Sequence, residues 1–151
     1  MLNPIEQKHY DVVEKLQIAY RDYCPLPGCG HIIVDWDACS AVECANTSLP
    51  SHHFCGVCLN TTASTRAKMH VHVATCTQAQ GCSKNLYLTE EESKRLAAER
   101  RERRVFAVLD AAPESARQVL AGFYAAKVDD APEYDVYKTQ AFRDRYLKPS
   151  Q

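Results

Sequence analysis

Near its start the chain alternates apolar and polar residues with the period of an α-helix. Asn3 is a suitable N-cap, Pro4 suits the first helical position, and Glu6 stands at capping-box spacing from Asn3. The residues that share the apolar face are Val12, Val13, Leu16, Ala19, Tyr20 and Tyr23. The pattern predicts an amphipathic helix over residues 3 to about 22, with its apolar face packed on the module that follows.

A second helical pattern begins after Cys82 and continues towards the C-terminus. Thr89 and Glu92 stand at capping-box spacing, and the mostly charged segment that follows ends in an apolar run at 105–109. We interpret the charged run 99–104 as a solvated helix with i,i+4 ion pairs rather than as a nucleic-acid site or a nuclear localisation signal. Pro113 begins the next helix, residues 129–132 end it, and a last helix is predicted at 134–147.

Between these helical segments the chain is rich in cysteine and histidine. Seven of the eight cysteines and five of the six histidines lie between Cys24 and Cys76. The apolar pattern there indicates only short strands, at residues 32–34, 41–42 and 53–54. Residues 59–71 are rich in Thr, Ser, Ala and Lys, and we expect them to form an exposed, mobile loop.

Composition limits the classes of function. The chain has 151 residues and a formal net charge of −1, which offers no basic field for nucleic acid. No apolar run approaches the roughly 20 residues that span a bilayer, and the first residues lack the regions of a signal peptide. We therefore expect a cytoplasmic or nuclear protein without membrane or nucleic-acid partners. In that reducing compartment, clustered cysteine and histidine indicate metal binding more strongly than disulfides.

The spacings predict two zinc ions, each with four ligands. The second site is the simpler one, since Cys55 and Cys58 form a two-residue knuckle and His72 stands one helical turn before Cys76. Two alternatives stay open there: His70 competes with His72, and Cys82, otherwise a free or core cysteine, competes with Cys76.

The first predicted site has three natural members, Cys24, Cys29 and Cys44, and a contested fourth ligand. Either Cys39 closes an all-cysteine site, or Cys39 is free and His52 or His53 takes the fourth position. Spacing alone leaves this choice open. In both cases the metal would supply folding free energy, on the order of 10 kcal/mol per structural site, to a module too small for a full core.

The order of these residues resembles the zinc modules of RING-between-RING ubiquitin ligases, both the in-between-RING (IBR) module and the catalytic RING-like (Rcat) module. The resemblance covers about residues 20 to 80 and rests on Cys24-Pro…Cys29, a strand, Asp37-Ala-Cys39, four residues, Cys44, then Phe54-Cys-x-x-Cys-Leu59 and His72-x-x-x-Cys76. It implies metal positions at Cys24, Cys29 and Cys44 and a nucleophile at Cys39. In that family the nucleophile receives ubiquitin from a conjugating enzyme as a thioester and passes it to a lysine.

The chain also departs from the Rcat pattern. No cysteine is present in residues 45–54, where the pattern expects one, and Ala41 stands where many Rcat modules place a general-base histidine. Asp35, Asp37 and Glu43 surround Cys39 in sequence and disfavour its thiolate.

The fold class predicted from the sequence is a small α+β zinc-binding domain of IBR/Rcat-like type at residues 24–82. An N-terminal helix at 1–23 and a helical region at 88–151 flank it. The predicted function is ubiquitin transfer, with a conjugating enzyme and ubiquitin as partners and Cys39 as acceptor. The alternative is a non-catalytic, zinc-stabilised domain that binds other proteins.

Overall fold

A computed structural model describes residues 2–33, 40–59, 61, 65–76, 87–127 and 131–147 of the chain. The described part divides into two compact units: a helical unit (1–21 and 98–151) and a metal unit (22–97). The elements, in chain order, are α1 (Pro4–Lys8), α2 (Tyr10–Ala19), β1 (Ala41–Glu43), β2 (His53–Cys55), α3 (Arg66–Ala74), α4 (Glu90–Ala111), α5 (Glu114–Ala126), the 3-10 helix η1 (Pro132–Lys138) and α6 (Gln140–Tyr146).

The helical unit has a continuous apolar core. Its buried members are Val12, Val13, Leu16, Ala19, Tyr20, Val105, Leu109, Ala116, Leu120, Ala121, Tyr124, Val136, Tyr137 and Phe142. They come from α2, the second half of α4, α5, η1 and α6, so the apolar face of α2 packs in this helical core. The prediction that this face packs on the cysteine-rich module was therefore wrong. The helical pattern gave the buried face, but periodicity carries no information about its partner.

The single helix predicted over residues 3 to about 22 is two helices. His9 leaves the helical region, with φ −117° and ψ 36°, so its N–H ends α1 while its carbonyl accepts from Val12 and Val13 to begin α2. Asn3 caps α1 as predicted, accepting from the Glu6 N–H at 3.0 Å. The Glu6 carboxylate is buried and accepts from the Tyr124 hydroxyl at 3.4 Å, so Glu6 has a tertiary role as well.

The charged run of α4 is more than a solvated face. Arg101 donates to the carbonyls of Tyr20 and Pro132, at 2.9 and 3.1 Å, and Arg104 donates to Ala19 at 3.0 Å. These arginines satisfy carbonyls at the C-terminal end of α2, which no intrahelical N–H can reach. The other capping box is present as predicted, because Thr89 and Glu92 exchange backbone-to-side-chain bonds of 3.3 and 3.1 Å.

The metal unit contains a hairpin, one short helix and the first residues of α4 (90–97). Strands β1 and β2 pair antiparallel in the register Ala41↔Cys55, Val42↔Phe54 and Glu43↔His53, which confirms the two strands predicted there. Thr65 caps α3, so residues 66–71 are helical and the prediction of a loop over 59–71 was wrong for this part. The strand predicted at 32–34 has in its described residues only one bridge, Ile32 to Tyr23; Val34 lies outside the described residues.

The last third of the chain also differs in detail from the prediction. The helix predicted over 134–147 is a 3-10 helix followed by α6, whose N-cap Thr139 accepts from the Phe142 N–H at 3.1 Å. None of the helices among the described residues is both long and apolar enough to cross a membrane.

Candidate metal centre

The first knuckle is built by the chain between Cys24 and His31. The Cys24 N–H donates to the His31 carbonyl at 2.7 Å, and the Cys29 N–H donates to Leu26 at 3.0 Å. Gly28 and Gly30, on either side of Cys29, have φ of 82° and 62°, a left-handed conformation that glycine adopts without strain. The two glycines thus let the chain turn tightly around the thiol of Cys29.

His52 approaches this knuckle from the residue just before β2. Its Nε2 lies 3.2 Å from the Cys24 Sγ, and its Nδ1 lies 2.9 Å from the Pro50 carbonyl. A carbonyl can only accept, so Nδ1 carries the proton and Nε2 presents its lone pair towards the thiols. A backbone carbonyl that fixes the tautomer in this way is the usual support of a metal-binding histidine.

Cys44, directly after β1, completes the first cluster. The ligand atoms of Cys24, Cys29, Cys44 and His52 all lie within 4.8 Å of one another. The Cys29 and Cys44 Sγ atoms are 3.7 Å apart. A Zn–S bond of about 2.3 Å places two sulfurs about 3.8 Å apart across a tetrahedron, whereas a disulfide holds them at about 2.05 Å. The separation therefore fits a shared metal and not a disulfide.

Asn46 supports two sulfurs of the first cluster. Its side-chain amide donates to the Cys29 Sγ at 3.3 Å, and its backbone N–H donates to the Cys44 Sγ at 3.5 Å. The Asn46 amide is the main cause that lowers the pKa of the Cys29 thiol to about 6, whereas burial raises the pKa of Cys24 to about 12. A bound zinc would deprotonate all three thiols. The role of Asn46 was not predicted from the sequence, although its position two residues after Cys44 was a usable signal.

The second cluster joins β2 to α3. The ligand atoms of Cys55, Cys58, His72 and Cys76 again lie within 4.8 Å of one another, and the His72 Nε2 is 3.2 Å from the Cys58 Sγ. Cys55 is the last residue of β2, and its Sγ accepts from the Cys58 N–H at 3.5 Å. Burial raises the pKa of Cys55 to about 12, against the lowering effect of the Cys58 and Val57 N–H groups.

The second cluster is part of the apolar core of the metal unit. The buried members of that core are Ala41, Cys55, Val57, Met69, Val73, Cys76 and Leu96. Met69 and Val73 lie on α3, one turn apart, and hold the helix against the hairpin. Two ligands of the cluster are thus also core residues.

The two competing histidines, His53 and His70, belong to neither cluster. His53 belongs to β2 opposite Glu43, where its charge helps to lower the pKa of that carboxyl after the main effect of the Ser51 hydroxyl. The Nε2 of His70 is buried and has no hydrogen-bond partner among the described residues, and neither metal cluster includes it. Cys39, the predicted nucleophile, and Cys82 lie outside the described residues.

Both clusters offer the same donor chemistry: three sulfurs and one imidazole nitrogen, with no carboxylate. Sulfur and nitrogen donors in fours favour zinc over magnesium or calcium. The six described cysteines of the clusters are all free of disulfides. The protein therefore carries two Cys/His clusters with the geometry of zinc sites. Comparisons with protein-family models, with curated proteins and with solved structures find no match for the chain.

Proposed function

We propose that the chain is a two-zinc module of the RING-between-RING class that acts in ubiquitin transfer. One observation carries the proposal: each cluster has four donors and neither needs Cys39. The eight ligands are then Cys24, Cys29, Cys44 and His52 in the first site and Cys55, Cys58, His72 and Cys76 in the second. The resemblance of residues 20 to 80 to the IBR and Rcat modules supplies the rest of the argument.

Zinc in such a site is structural. A catalytic zinc usually has three protein ligands and an open position for water, whereas each cluster here offers four protein donors. When bound, the ions supply folding free energy to a unit whose strands have three residues each. Any chemistry of the module is therefore expected from a side chain and not from the metal.

Cys39 is the side chain proposed for that chemistry. Its thiolate would attack the thioester carbonyl of ubiquitin on a conjugating enzyme; a new S–C bond forms and the thiolate of that enzyme leaves. A lysine amine would then attack the ubiquitin–Cys39 thioester, lose its proton and release the Cys39 thiolate. The first cluster supports this role, because its four donors, all among the described residues, are enough for a tetrahedral zinc.

The second candidate is a non-catalytic domain that binds another protein. The metal unit exposes large apolar side chains, with Val71 67% and Tyr87 56% exposed. Solvent-exposed apolar groups of this kind are common at interaction surfaces when they are contiguous. Two departures from the Rcat pattern also favour this alternative: Ala41 replaces the general-base histidine, and acidic residues surround Cys39 in sequence.

Native mass spectrometry and a transfer assay together test the proposal. Zinc is counted in the wild type, in Cys39→Ala and in the control Cys82→Ala, and each is mixed with conjugating enzyme charged with ubiquitin. We expect two zinc ions in wild type and Cys39→Ala, and a reductant-sensitive ubiquitin adduct that Cys39→Ala alone abolishes. Cys39→Ser should convert the adduct into a reductant-resistant oxyester.

The other outcomes decide between the candidates. A fall from two zinc ions to one in Cys39→Ala would make Cys39 a ligand and end its proposed catalytic role. Two ions in every variant without any adduct would favour the interaction domain. A wild type without zinc would overturn both candidates.

A further inference from the structure

The two clusters differ in how far solvent reaches their thiols. In the first cluster only Cys24 is buried, at 5% exposure, while Cys29 and Cys44 are partly exposed. In the second cluster Cys55 and Cys76 are 0% and 7% exposed, and only Cys58 is partly exposed. A small polar oxidant therefore meets two accessible thiols in the first cluster and one in the second.

The two accessible thiols of the first cluster are also neighbours. The Cys29 and Cys44 Sγ atoms lie 3.7 Å apart. Cys29 lies in the first knuckle, and Cys44 directly follows the last residue of β1. Closing this gap to the roughly 2.05 Å of a disulfide needs a movement of less than about 2 Å.

We propose that Cys29 and Cys44 are an oxidation site at which a peroxide forms a disulfide and releases the first zinc, while the second zinc is retained. The inference rests on the proposed zinc binding and adds a modification to it. It assigns to the first site a redox response that the second site, with its buried thiols, does not share.

The reaction balances with hydrogen peroxide as the oxidant. One thiolate attacks a peroxide oxygen, the O–O bond breaks, and a sulfenic acid and hydroxide form. The second thiolate then attacks the sulfenic sulfur, forms the S–S bond and displaces another hydroxide. Two electrons pass from the sulfurs to the peroxide, and the hydroxides take up protons to become water. The first cluster keeps only Cys24 and His52, too few donors for a four-coordinate zinc.

The test uses the full chain with its two ions counted by native mass spectrometry. Protein is treated with stoichiometric hydrogen peroxide in the presence of a chromophoric zinc chelator, and zinc release is followed with time. We expect one zinc to leave about tenfold faster than the other. The intermediate should carry one zinc and a mass lower by two hydrogen atoms after correction for the lost ion.

Peptide mapping identifies the pair. Trypsin has no site between Arg21 and Arg66, so cleavage before Asp35 and Asp37, after Glu43 and after Phe54 is used to isolate Cys39 and Cys44 on separate fragments. A fragment ending before Asp35 should be linked to one that begins at Cys44, and tandem mass spectrometry of the linked pair should place the bond on Cys29 and not on Cys24. A first disulfide that joins any other pair, or release of both ions at equal rates, would overturn the inference.

A matched pair of variants separates metal binding from oxidation. Cys44→His keeps a zinc donor in the first cluster but removes one of the paired thiols, and Cys82→Ala, at a cysteine outside both proposed ligand sets, is the control. With two ions bound at the start, Cys44→His should release its first zinc about tenfold more slowly than wild type, and Cys82→Ala should match wild type. If Cys44→His released its first zinc at the wild-type rate, the result would contradict the proposal. If Cys44→His does not bind two ions, the wild-type fragment map decides.

Failure of this inference is distinct from failure of the proposed function. A wild type with fewer than two zinc ions before peroxide would refute the two-zinc module itself. If the wild type binds two zinc ions before peroxide, but both ions are released at equal rates or the first disulfide joins another pair, only the Cys29–Cys44 site is refuted.

Discussion

In the described part of the chain, the apolar cluster of the helical unit has fourteen buried residues, whereas the apolar cluster of the metal unit has seven, two of which are the thiols Cys55 and Cys76. The helical unit orders its backbone with long helices such as α4 and α5. The metal unit has two strands of three residues and the nine-residue α3. The first can be stabilised by burial of apolar area, and we expect the second, with its smaller apolar cluster, to depend on ligand–metal bonds.

The largest expected effect that tests this difference is removal of the metal. Excess EDTA should unfold the metal unit, because each structural zinc contributes on the order of 10 kcal/mol of folding free energy. In a proton–nitrogen correlation spectrum, the amide signals of Phe54 and Val73 should collapse to unfolded positions, while those of Leu120 and Phe142 stay dispersed. Added zinc should restore the spectrum. A Phe54 signal that stays at its folded position after chelation would show that the metal unit folds without zinc.

Next in size is the loss of a single ion. His72→Ala and His52→Ala should each lower the zinc count from two to one in native mass spectrometry, because each removes one of four donors. The histidines nearest in sequence serve as controls. The variants His70→Ala and His53→Ala should each still bind two zinc ions. A full count in His52→Ala would remove His52 from the first site and return Cys39 to consideration as the fourth ligand.

Shortening a core side chain of the helical unit should have a smaller effect and should leave the number of bound zinc ions unchanged. Leu120 is 0% exposed on α5, so Leu120→Ala should lower the free energy of unfolding of this unit by about 2–5 kcal/mol. Its neighbour Val119 is 44% exposed, and Val119→Ala should stay within about 0.5 kcal/mol. Urea titration followed by helical circular dichroism measures both, and both variants should bind two zinc ions.

The smallest effect is expected at a surface pair of the helical unit. Arg145 donates twice to Asp110, and Tyr146 donates to the same carboxylate at 2.8 Å; the Arg145 bond is the main cause that lowers the pKa of Asp110. A lowered carboxyl pKa stabilises the fold above the unfolded pKa, and this stabilisation is lost as pH falls through the folded value. Asp110→Asn should therefore reduce stability at pH 7, by much less than Leu120→Ala.

The pH dependence sharpens this last prediction. The difference in unfolding free energy between wild type and Asp110→Asn should shrink as the pH falls below about 4, where the carboxyl of the unfolded chain becomes protonated before that of the folded protein. Glu14→Gln, a charge change at an exposed position of α2, is the control. A difference that does not change with pH would show that the ion pair is not its source.

Several features of the fold were predictable from short stretches of sequence. The capping box at Thr89, the N-cap at Asn3 and the strands at 41–42 and 53–54 depend on residues close in the chain, and the structure contains them. The break at His9 and the tertiary roles of Glu6, Arg101 and Arg104 were missed. The roles of Glu6, Arg101 and Arg104 depend on groups far away in sequence, such as Tyr124 or the end of α2, which a local pattern does not contain.

The sequence by itself determined the donor chemistry, because the number of thiols and imidazoles and their knuckle spacings are properties of the chain. It also favoured His72 over His70, since residues two apart on a helix lie about 200° apart around it and only one can face Cys76. The choice between His52 and His53 was decided only by tertiary structure. Neighbouring residues of an extended backbone point to opposite sides, and the side that faced the first knuckle depended on the register of β1 with β2.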